Sequence, residues 1–397
     1  MMHCNSKMAA SMGVSGPTSF QKKRRTKFVQ IPGTRPSLHN GQLLVSTGVP
    51  SLDFVIGGGL AVGTVLLVEE DKYRSYADLL VKYFVAEGII SNHEIFLAAA
   101  DKDPEKIIKD LPHPLDDDLV KSVYEEREEA GDGAEKMKIA WRYEHLPKHQ
   151  SNQGGVKFGH HYDLSRTIDE ELIKRVKCTC HCANKHLQEK KQLSMNPSYE
   201  DVIHSVQRQI RQGGYDSPTT EAKDKNILRI AISSIGSPLW GEEGGVIPGT
   251  AKTDHSLPRF LHALRSILRS SLSVCLITIP THLFQDAAFV RRLENLCDTV
   301  VKLESFAGSE KEKNPVYKEY HGLFTICKLP RLNSLTCHMP DSLDLAFKLK
   351  RKKFTIEKLH LPPDLSETVS RSQGEVIKTA SADIGCASKP SNQSLDF

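Results

Sequence analysis

Short apolar runs alternate along this chain with segments of helical periodicity, and this alternation restricts the fold more than any other feature of the sequence. The runs are predicted to form buried strands at residues 64–68, 93–100, 226–235 and 272–280. The segments between them are predicted to form helices at residues 75–88, 199–213 and 256–271, with Gly88 as the stop signal of the first. The pattern therefore predicts an α/β fold in which a mostly parallel central sheet carries helices on both faces.

The loop after the first predicted strand stands where a nucleotide-binding α/β fold cradles phosphate. Such a loop needs glycines, so that successive backbone N–H groups can turn inward, and a Lys with a Ser or Thr for the phosphates and Mg²⁺. Here no glycine follows Val68 before Gly88. The degenerate loop position is occupied by Glu69, Glu70, Asp71, Lys72, Arg74 and Ser75.

The acids of this loop disfavour phosphate. A carboxylate about 4 Å from a phosphate oxygen repels it by roughly 4 kcal/mol at an effective dielectric constant near 20. Without the ring of N–H groups, Lys72 and Arg74 are interpreted as surface cations. The acids and Lys72 are predicted to meet a neighbouring protein rather than ATP.

The metal-binding Asp of a nucleotide site, expected at the end of the strand at 226–235, is also missing. Ser233 and Ser234 occupy this degenerate position, and no Asp or Glu follows before Glu242. Glycines 57–59 precede the first strand instead of following it, and so predict a turn. The sequence therefore assigns no catalytic residue and disfavours an NTPase that works alone.

Two basic clusters stand out against a net charge of only +4, at residues 22–27 and 348–353. The second contains Lys348, Lys350, Arg351, Lys352 and Lys353. A helix through it would place Lys348 and Lys352 on a common face. The cluster is typical either of a solvated helix face, or of a site for phosphate or for the acidic surface of a partner.

Changes in composition divide the chain. Residues 1–29 are predicted to be a disordered basic tail, residues 30–364 one α/β domain, and residues 365–397 a second disordered tail. Within the domain, the acidic stretch at about 101–135 and the weakly patterned stretch at about 148–200 are predicted insertions, the latter a surface excursion.

Compartment and metal binding follow from small signals. No run of 18 apolar residues occurs, so we expect no membrane span. The start of the chain lacks an apolar signal sequence, and the nine scattered cysteines do not indicate a disulfide framework. We therefore expect a cytoplasmic and nuclear location. The crowded Cys178–Cys182 cluster has no distant second pair of ligands, so no metal is expected there. His160, His161 and His282 are weak catalytic candidates, because sequence shows no nucleophile near them.

The stretch STGVPSLDFVIGGGLAVGTVLLVEED resembles the opening of RecA-like and KaiC-like ATPase domains. Longer stretches are similar to the subunit-four family of the Elongator complex over about residues 30 to 372. They include GGGLAVGTVLLVEEDKY, FGHHYD, NILRIAI, GSPLWG, LESFAGSE, NPVYKEYHGL and DLAFKLKRKKFTIEKLHLPPDLSETVSRS. The resemblance implies a RecA-like fold.

This resemblance also implies partners and a function. Subunits four, five and six of Elongator form a hetero-hexameric RecA-like ring, which binds tRNA and joins the catalytic subunits one to three in carboxymethyl-type modification of the wobble uridine, U34. On this basis the basic cluster at 348–353 becomes a candidate tRNA or partner contact. No cofactor is expected of this chain itself, with ATP restricted to ring interfaces. The alternatives are a RecA/KaiC-like NTPase active alone and a nuclear DNA- or chromatin-associated regulator.

Overall fold

A computed structural model describes residues 31–37, 40–115, 158–183, 195–216, 225–241, 255–334, 339–350 and 352–360. Both predicted tails, much of both predicted insertions, and Arg351 of the basic cluster lie outside these residues. No helix in these ranges is long and apolar enough to cross a membrane.

The strands and helices are numbered in chain order. The strands are β1 (Thr34–Pro36), β2 (Leu43–Val45), β3 (Leu60–Ala61), β4 (Val65–Glu69), β5 (Glu94–Ala99), β6 (Pro112–Pro114), β7 (Tyr162–Thr167), β8 (Cys178–Cys182), β9 (Leu228–Ile232), β10 (Ser273–Ile279), β11 (Thr299–Ser305), β12 (Gly322–Lys328), β13 (Leu345–Lys350) and β14 (Lys353–Lys358). The helices are α1 (Pro50–Val55), α2 (Ser75–Ile90), α3 (Pro104–Lys109), α4 (Glu170–Lys174), α5 (Pro197–Gln212), α6 (Ser256–Arg269), α7 (Ala287–Leu296) and α8 (Glu310–Lys313).

A nine-stranded sheet forms the centre of the molecule, in the order β14-β13-β12-β11-β4-β10-β9-β5-β8. The six strands from β11 to β8 are mutually parallel, and β12, β13 and β14 continue the sheet as antiparallel strands. This sheet confirms the predicted α/β class with a mostly parallel central sheet. We call the edge where the parallel strands end the carboxyl edge, and the opposite one the amino edge.

Alternating side chains of the central strands supply two hydrophobic cores. Leu66 and Val68 of β4 belong to the core that includes α1 and α2, whereas Val65 and Leu67 belong to the core that includes α5 and α6. Successive side chains of a strand point to opposite faces, so a strand that is apolar throughout requires cover on both sides. The helices on both faces provide that cover, as the sequence predicts.

The helix α2 continues past the predicted stop. Gly88 lies inside it, where a Cβ atom would approach Ile95 Cδ1 to 2.5 Å and Arg229 Cδ to 2.7 Å. The prediction of a helix end at Gly88 is therefore wrong, because this glycine permits close packing of α2 on the sheet and does not end the helix.

The segment before α1 is fixed by a buried carboxylate. Asp53 accepts hydrogen bonds from the Thr47 backbone N–H and from Thr47 Oγ1, both at 2.7 Å, and from Ser46 Oγ. Gly48 has φ = +84°, and a Cβ atom there would lie 2.3 Å from the backbone oxygen of Tyr83. These contacts give a structural role to the Ser-Thr-Gly and Leu-Asp positions of the RecA-like stretch.

A buried arginine joins this segment to the sheet. Arg229 of β9 is fully buried and donates from Nη1 to the backbone oxygens of Ser46 at 2.8 Å and Phe84 at 3.2 Å. Its Nε donates to His93 Nδ1 at 3.0 Å, and His93 Nε2 lies 2.7 Å from the Pro32 oxygen. Because Arg229 uses Nδ1 as an acceptor, His93 is held as the neutral tautomer that donates from Nε2.

A buried glutamate balances the charge of Arg229. Glu87 of α2 accepts hydrogen bonds from Tyr162 Oη at 2.7 Å and from the His160 backbone N–H at 3.1 Å. Burial alone would raise the pKa of Glu87, but the hydrogen bonds from His160 and Tyr162 and the charge of Arg229 outweigh it and lower the pKa. His160 is therefore a structural partner of Glu87, and this role explains its position better than catalysis.

Part of the predicted surface excursion at 148–200 belongs to the core of the fold. Residues 178–182 form β8, the parallel edge strand beside β5, and Tyr162 of β7 is buried. The prediction of a surface excursion is wrong for residues 158–183. The polar strand sequence CTCHC hides this role, because an edge strand needs little apolar content.

We expect His93 to make the free energy of unfolding depend on pH. Burial and the charge of Arg229 lower the pKa of His93 from 6.5 to about 3. Below pH 6.5 His93 is protonated in the unfolded chain but stays neutral in the folded chain. Its contribution to stability is therefore present above pH 6.5 and is lost as the pH falls toward 3. Asp53 acts in the opposite direction between pH 3.8 and 6, since burial raises its pKa to about 6.

The comparison of variants isolates the histidine. Between pH 7.5 and 5.0, His93→Gln should lose roughly 2 kcal/mol less unfolding free energy than the parent protein. Urea unfolding at the two pH values measures the difference, with the exposed His282→Gln as the control. Equal losses for the parent and His93→Gln would contradict the assignment.

Candidate functional site

The loop after β4 fills its own anion site. Asp71 accepts backbone hydrogen bonds from the first turn of α2, with Oδ2 3.1 Å from Ser75 N and Oδ1 3.0 Å from Tyr76 N and 3.1 Å from Ala77 N. The N-terminus of a helix attracts anions because its first N–H groups have no partner inside the helix. Asp71 is 1 % exposed. Its carboxylate therefore occupies the place where a phosphate-binding loop would hold phosphate.

Arg74 locks this loop to the neighbouring strands. It adopts a left-handed conformation with φ = 58° as the residue before α2. Its Nε donates to Asp78 at 2.7 Å, its Nη1 to Asp101 at 2.7 Å, and its Nη2 to Ser233 Oγ at 3.1 Å. One guanidinium thus ties the degenerate phosphate loop to the degenerate metal position.

Glu70 makes a second tie between the same two positions. Its Oε1 accepts a hydrogen bond from Thr278 Oγ1 at 2.6 Å, and its Oε2 accepts one from Ser234 Oγ at 3.2 Å. The Ser234 backbone N–H also donates to Thr278 Oγ1 at 2.7 Å. The carboxyl ends of β4, β9 and β10 are therefore joined by side chains of the chain itself.

Burial governs the electrostatics of this site. It raises the pKa of Glu70, although the hydrogen bonds from Thr278 and Ser234 and the charge of Arg74 oppose it. It also raises the pKa of Glu69, whose Oε2 accepts from Thr281 Oγ1 at 3.0 Å. Burial alone would lower the pKa of Arg74, but Asp101 and Asp78 raise it. The Arg74 guanidinium therefore stays charged, and its charge is compensated by Asp78 and Asp101 of the same chain.

The structure corrects two sequence interpretations of this loop. Arg74 is not a free surface cation, because it forms ion pairs with Asp78 and Asp101. The prediction that Glu69, Glu70 and Asp71 meet a neighbouring protein is not supported, since all three are buried and their hydrogen-bond partners lie in this chain, at the ends of β9 and β10 and at the start of α2.

The remaining predicted residues of the loop are on the surface. Lys72 and Ser75 are exposed, as is Tyr73 between Lys72 and Arg74. Sequence reasoning missed Asp78, Asp101 and Thr278, which complete the network. Only the position of Asp101 shortly after the strand β5 offered a signal.

The basic cluster at 348–353 is a hairpin and not a helix. It spans the end of β13 and the start of β14, with Lys350 opposite Lys353. Lys348 is 9 % exposed, and its Nζ lies 3.2 Å from Glu319, 3.0 Å from Glu357 and 4.6 Å from the ring centre of Tyr320.

Lys352 Nζ lies 3.5 Å from Asp163 Oδ2. The helical prediction failed because strand pairing overrides local helix spacing. Two lysines of the cluster already have acidic partners.

The other candidate residues lie in ordinary structural settings. Cys178, Cys180 and Cys182 share one face of β8, and burial raises the pKa of Cys178 and Cys180 to about 11. Within the described ranges, no group of three or more His, Cys, Asp or Glu residues is arranged to hold a metal ion. His282 is exposed in the turn after β10.

Comparison with known proteins identifies the family. Residues 27–397 match the family described as PAXNEB protein. Elongator complex protein 4 of Danio rerio is 50% identical over 396 residues, covering 98% of this chain and 98% of that protein. Elongator complex protein 4 of Xenopus laevis is 50% identical over 371 residues, covering 92% and 91%. The chain belongs to the Elongator complex protein 4 family.

A solved structure of a KaiC-like protein from Pyrococcus horikoshii is also similar, at 14% sequence identity and a TM-score of 0.42. The match covers 79% of this chain and 98% of that one. In this member of the Elongator complex protein 4 family, the Asp71 carboxylate accepts the hydrogen bonds of the first N–H groups of α2.

Removal of the Asp71 carboxylate should destabilise the protein. Asp71→Ala leaves three N–H groups of α2 without their acceptor, so we expect the free energy of unfolding to fall by about 1–2 kcal/mol. Asp71→Asn keeps one acceptor oxygen and should cost less. Urea unfolding of the full chain checks this order, and an unchanged free energy for Asp71→Ala would show that the contact does not stabilise the loop.

Proposed function

We propose that this chain is a non-catalytic subunit of the Elongator complex. It assembles with Elongator subunits five and six into a RecA-like hetero-hexameric ring, and this ring binds tRNA beside the catalytic subunits one to three. In that role it supports carboxymethyl-type modification of U34 in the cytoplasm and nucleus. The single observation that carries the non-catalytic part is the Asp71 carboxylate at the N-terminus of α2.

The closed anion site favours a scaffold over an NTPase. A nucleotide would have to displace Asp71 from three N–H groups and to break the bonds of Arg74 to Asp78 and Asp101. The freed carboxylates would then face its phosphates and repel them. Any ATP in the ring is therefore proposed to bind at a neighbouring subunit's site.

Apolar side chains at the carboxyl edge favour assembly through that edge. Tyr73 after β4, Leu239 after β9 and Leu283 after β10 are 56 %, 52 % and 49 % exposed. The three parallel strands end at the same edge, so these side chains share one side of the molecule. Exposed aromatic and aliphatic anchors are what a protein interface buries at its centre. The hairpin lysines Lys350 and Lys353 remain candidates for tRNA or partner contacts.

Assembly tests the proposal directly. The chain, co-expressed with Elongator subunits five and six, should run as a six-chain assembly in sedimentation analysis. The double variant Leu239→Asp and Leu283→Asp should weaken assembly roughly tenfold or more, because charge is placed in an apolar contact. Leu343→Asp is the matched control, with a leucine that is 58 % exposed in the segment before β13. A parent chain that stays monomeric with both partners would overturn the ring proposal.

Nucleotide binding separates this proposal from the NTPase alternative. The isolated full chain should show no saturable binding of ATP with Mg²⁺ in calorimetry, because Asp71 and Arg74 already occupy the loop. Lys72→Ala should change nothing, since Lys72 is exposed and outside the network. Saturable binding that Lys72→Ala abolishes would instead support the NTPase.

A further inference from the structure

Cationic side chains gather at the amino edge of the sheet, away from the degenerate nucleotide loop. They come from α6, from α7 and from the segment that ends and follows β12. We call this set the arginine surface; it consists of Arg265, Arg269, Arg291, Arg292, Lys328 and Arg331. Two adjacent cavities of about 480 and 520 Å³ are lined by these side chains and share Asn295. The acids that line the cavities are Glu294 and Asp298, so cations outnumber acids.

A single buried carboxylate orders two of these arginines. Asp298 Oδ1 lies 2.8 Å from Arg265 Nη2 and 2.6 Å from Arg269 Nη2. Its side chain is 2 % exposed, and its other oxygen accepts from the Val65 N–H at 3.1 Å. Each guanidinium has five N–H donors, so both arginines keep donors for a ligand while their positions are fixed.

Lys328 holds the end of α7 beside them. Its Nζ donates to the backbone oxygens of Asn295 at 2.9 Å and Cys297 at 2.6 Å, which lie at the C-terminus of the helix. Burial lowers the pKa of Lys328, and the charge of Arg265 lowers it further. Arg265 therefore lies close enough to Lys328 for the two positive charges to repel each other.

The other three cations are free to bind. Arg291, Arg292 and Arg331 are exposed, and none of them forms an ion pair with a described residue. Guanidinium groups match phosphate oxygens with paired hydrogen bonds.

The lining contains no aromatic side chain. Aromatic rings are what stack on the bases of single strands and what protein interfaces favour. The combination therefore suits the sugar-phosphate backbone of an RNA duplex.

We propose that the arginine surface binds the phosphate backbone of a double-stranded arm of RNA, without reading its sequence. The choice of tRNA as this RNA rests on the proposed function. The surface lies at the amino edge, so it stays open when the carboxyl edge is buried in a ring. It is separate from the hairpin at residues 348–353.

Charge reversal tests the surface. The variant Arg291→Glu, Arg292→Glu and Arg331→Glu changes only the three exposed cations that form no ion pair with a described residue. Its control is Lys109→Glu, Arg166→Glu and Arg175→Glu, which changes three exposed cations near β7 and β8 by the same charge. Affinity of the assembled ring for an unmodified tRNA transcript is measured by fluorescence anisotropy from 50 to 200 mM KCl.

We expect the arginine-surface variant to bind tRNA at least tenfold more weakly at 50 mM KCl. The slope of log affinity against log salt should fall in magnitude by about 2–3, because a protein that makes fewer phosphate contacts releases fewer counterions on binding. The control should match the parent protein. An unrelated RNA duplex should compete as well as tRNA does. Equal affinity and slope for the two variants would overturn the proposal. Poly-glutamate serves as a probe for an acidic protein partner. If the arginine-surface variant loses binding to poly-glutamate but binds tRNA as the parent protein does, the proposal also fails.

Failure of the ring and failure of the surface give different results. If no ring forms, the proposed function fails, and the same measurement is made on the full chain alone. There, a parent chain that does not bind tRNA at 50 mM KCl overturns the arginine surface. A parent chain that binds, with loss only in the arginine-surface variant, supports it.

Discussion

The positive N-terminus of α2 is the constraint around which the carboxyl edge is built. In a parallel α/β sheet this end of the helix lies at the carboxyl edge, just after the strand that precedes it, and its unpaired N–H groups require an acceptor. An NTPase supplies it from outside as phosphate. Here Asp71 supplies it from within, at 3.0–3.1 Å from three N–H groups. The fold keeps its geometry without needing a nucleotide.

Filling the site with a carboxylate brings further negative charge that the chain must balance. Glu70 and Asp101 come to the same edge because the strands before them end there. Arg74 compensates this charge with one guanidinium, which donates to Asp78, Asp101 and Ser233 and whose charge also acts on Glu70. The hydroxyls of Thr278 and Ser234 satisfy Glu70. These contacts stabilise the edge, because a buried polar group that lacks a partner costs free energy.

The sequence predicts the parallel sheet but not the internal contacts that join side chains at its carboxyl edge. The apolar run at Val65–Val68 requires burial on both faces, so the parallel sheet follows from it. That Glu70, Asp71 and Arg74 lie where phosphate would bind was also readable. Their internal partners were not, because Asp101 and Thr278 are brought close only by strand order. The helical interpretation of residues 348–353 failed because β13 pairs with β12 on one side and with β14 on the other, and strand pairing overrides local helix spacing.

The two edges of the sheet have opposite characters. At the carboxyl edge, charges are paired inside and apolar side chains such as Tyr73 and Leu283 face outward. At the amino edge, Asp298 orders Arg265 and Arg269, while Arg291 and Arg292 form no ion pair with another described residue. A subunit that has closed its nucleotide site loses nothing by burying that edge against a neighbour. Its opposite edge then points away from the contact, where excess positive charge does not repel a partner and can attract a polyanion over a distance of about a Debye length.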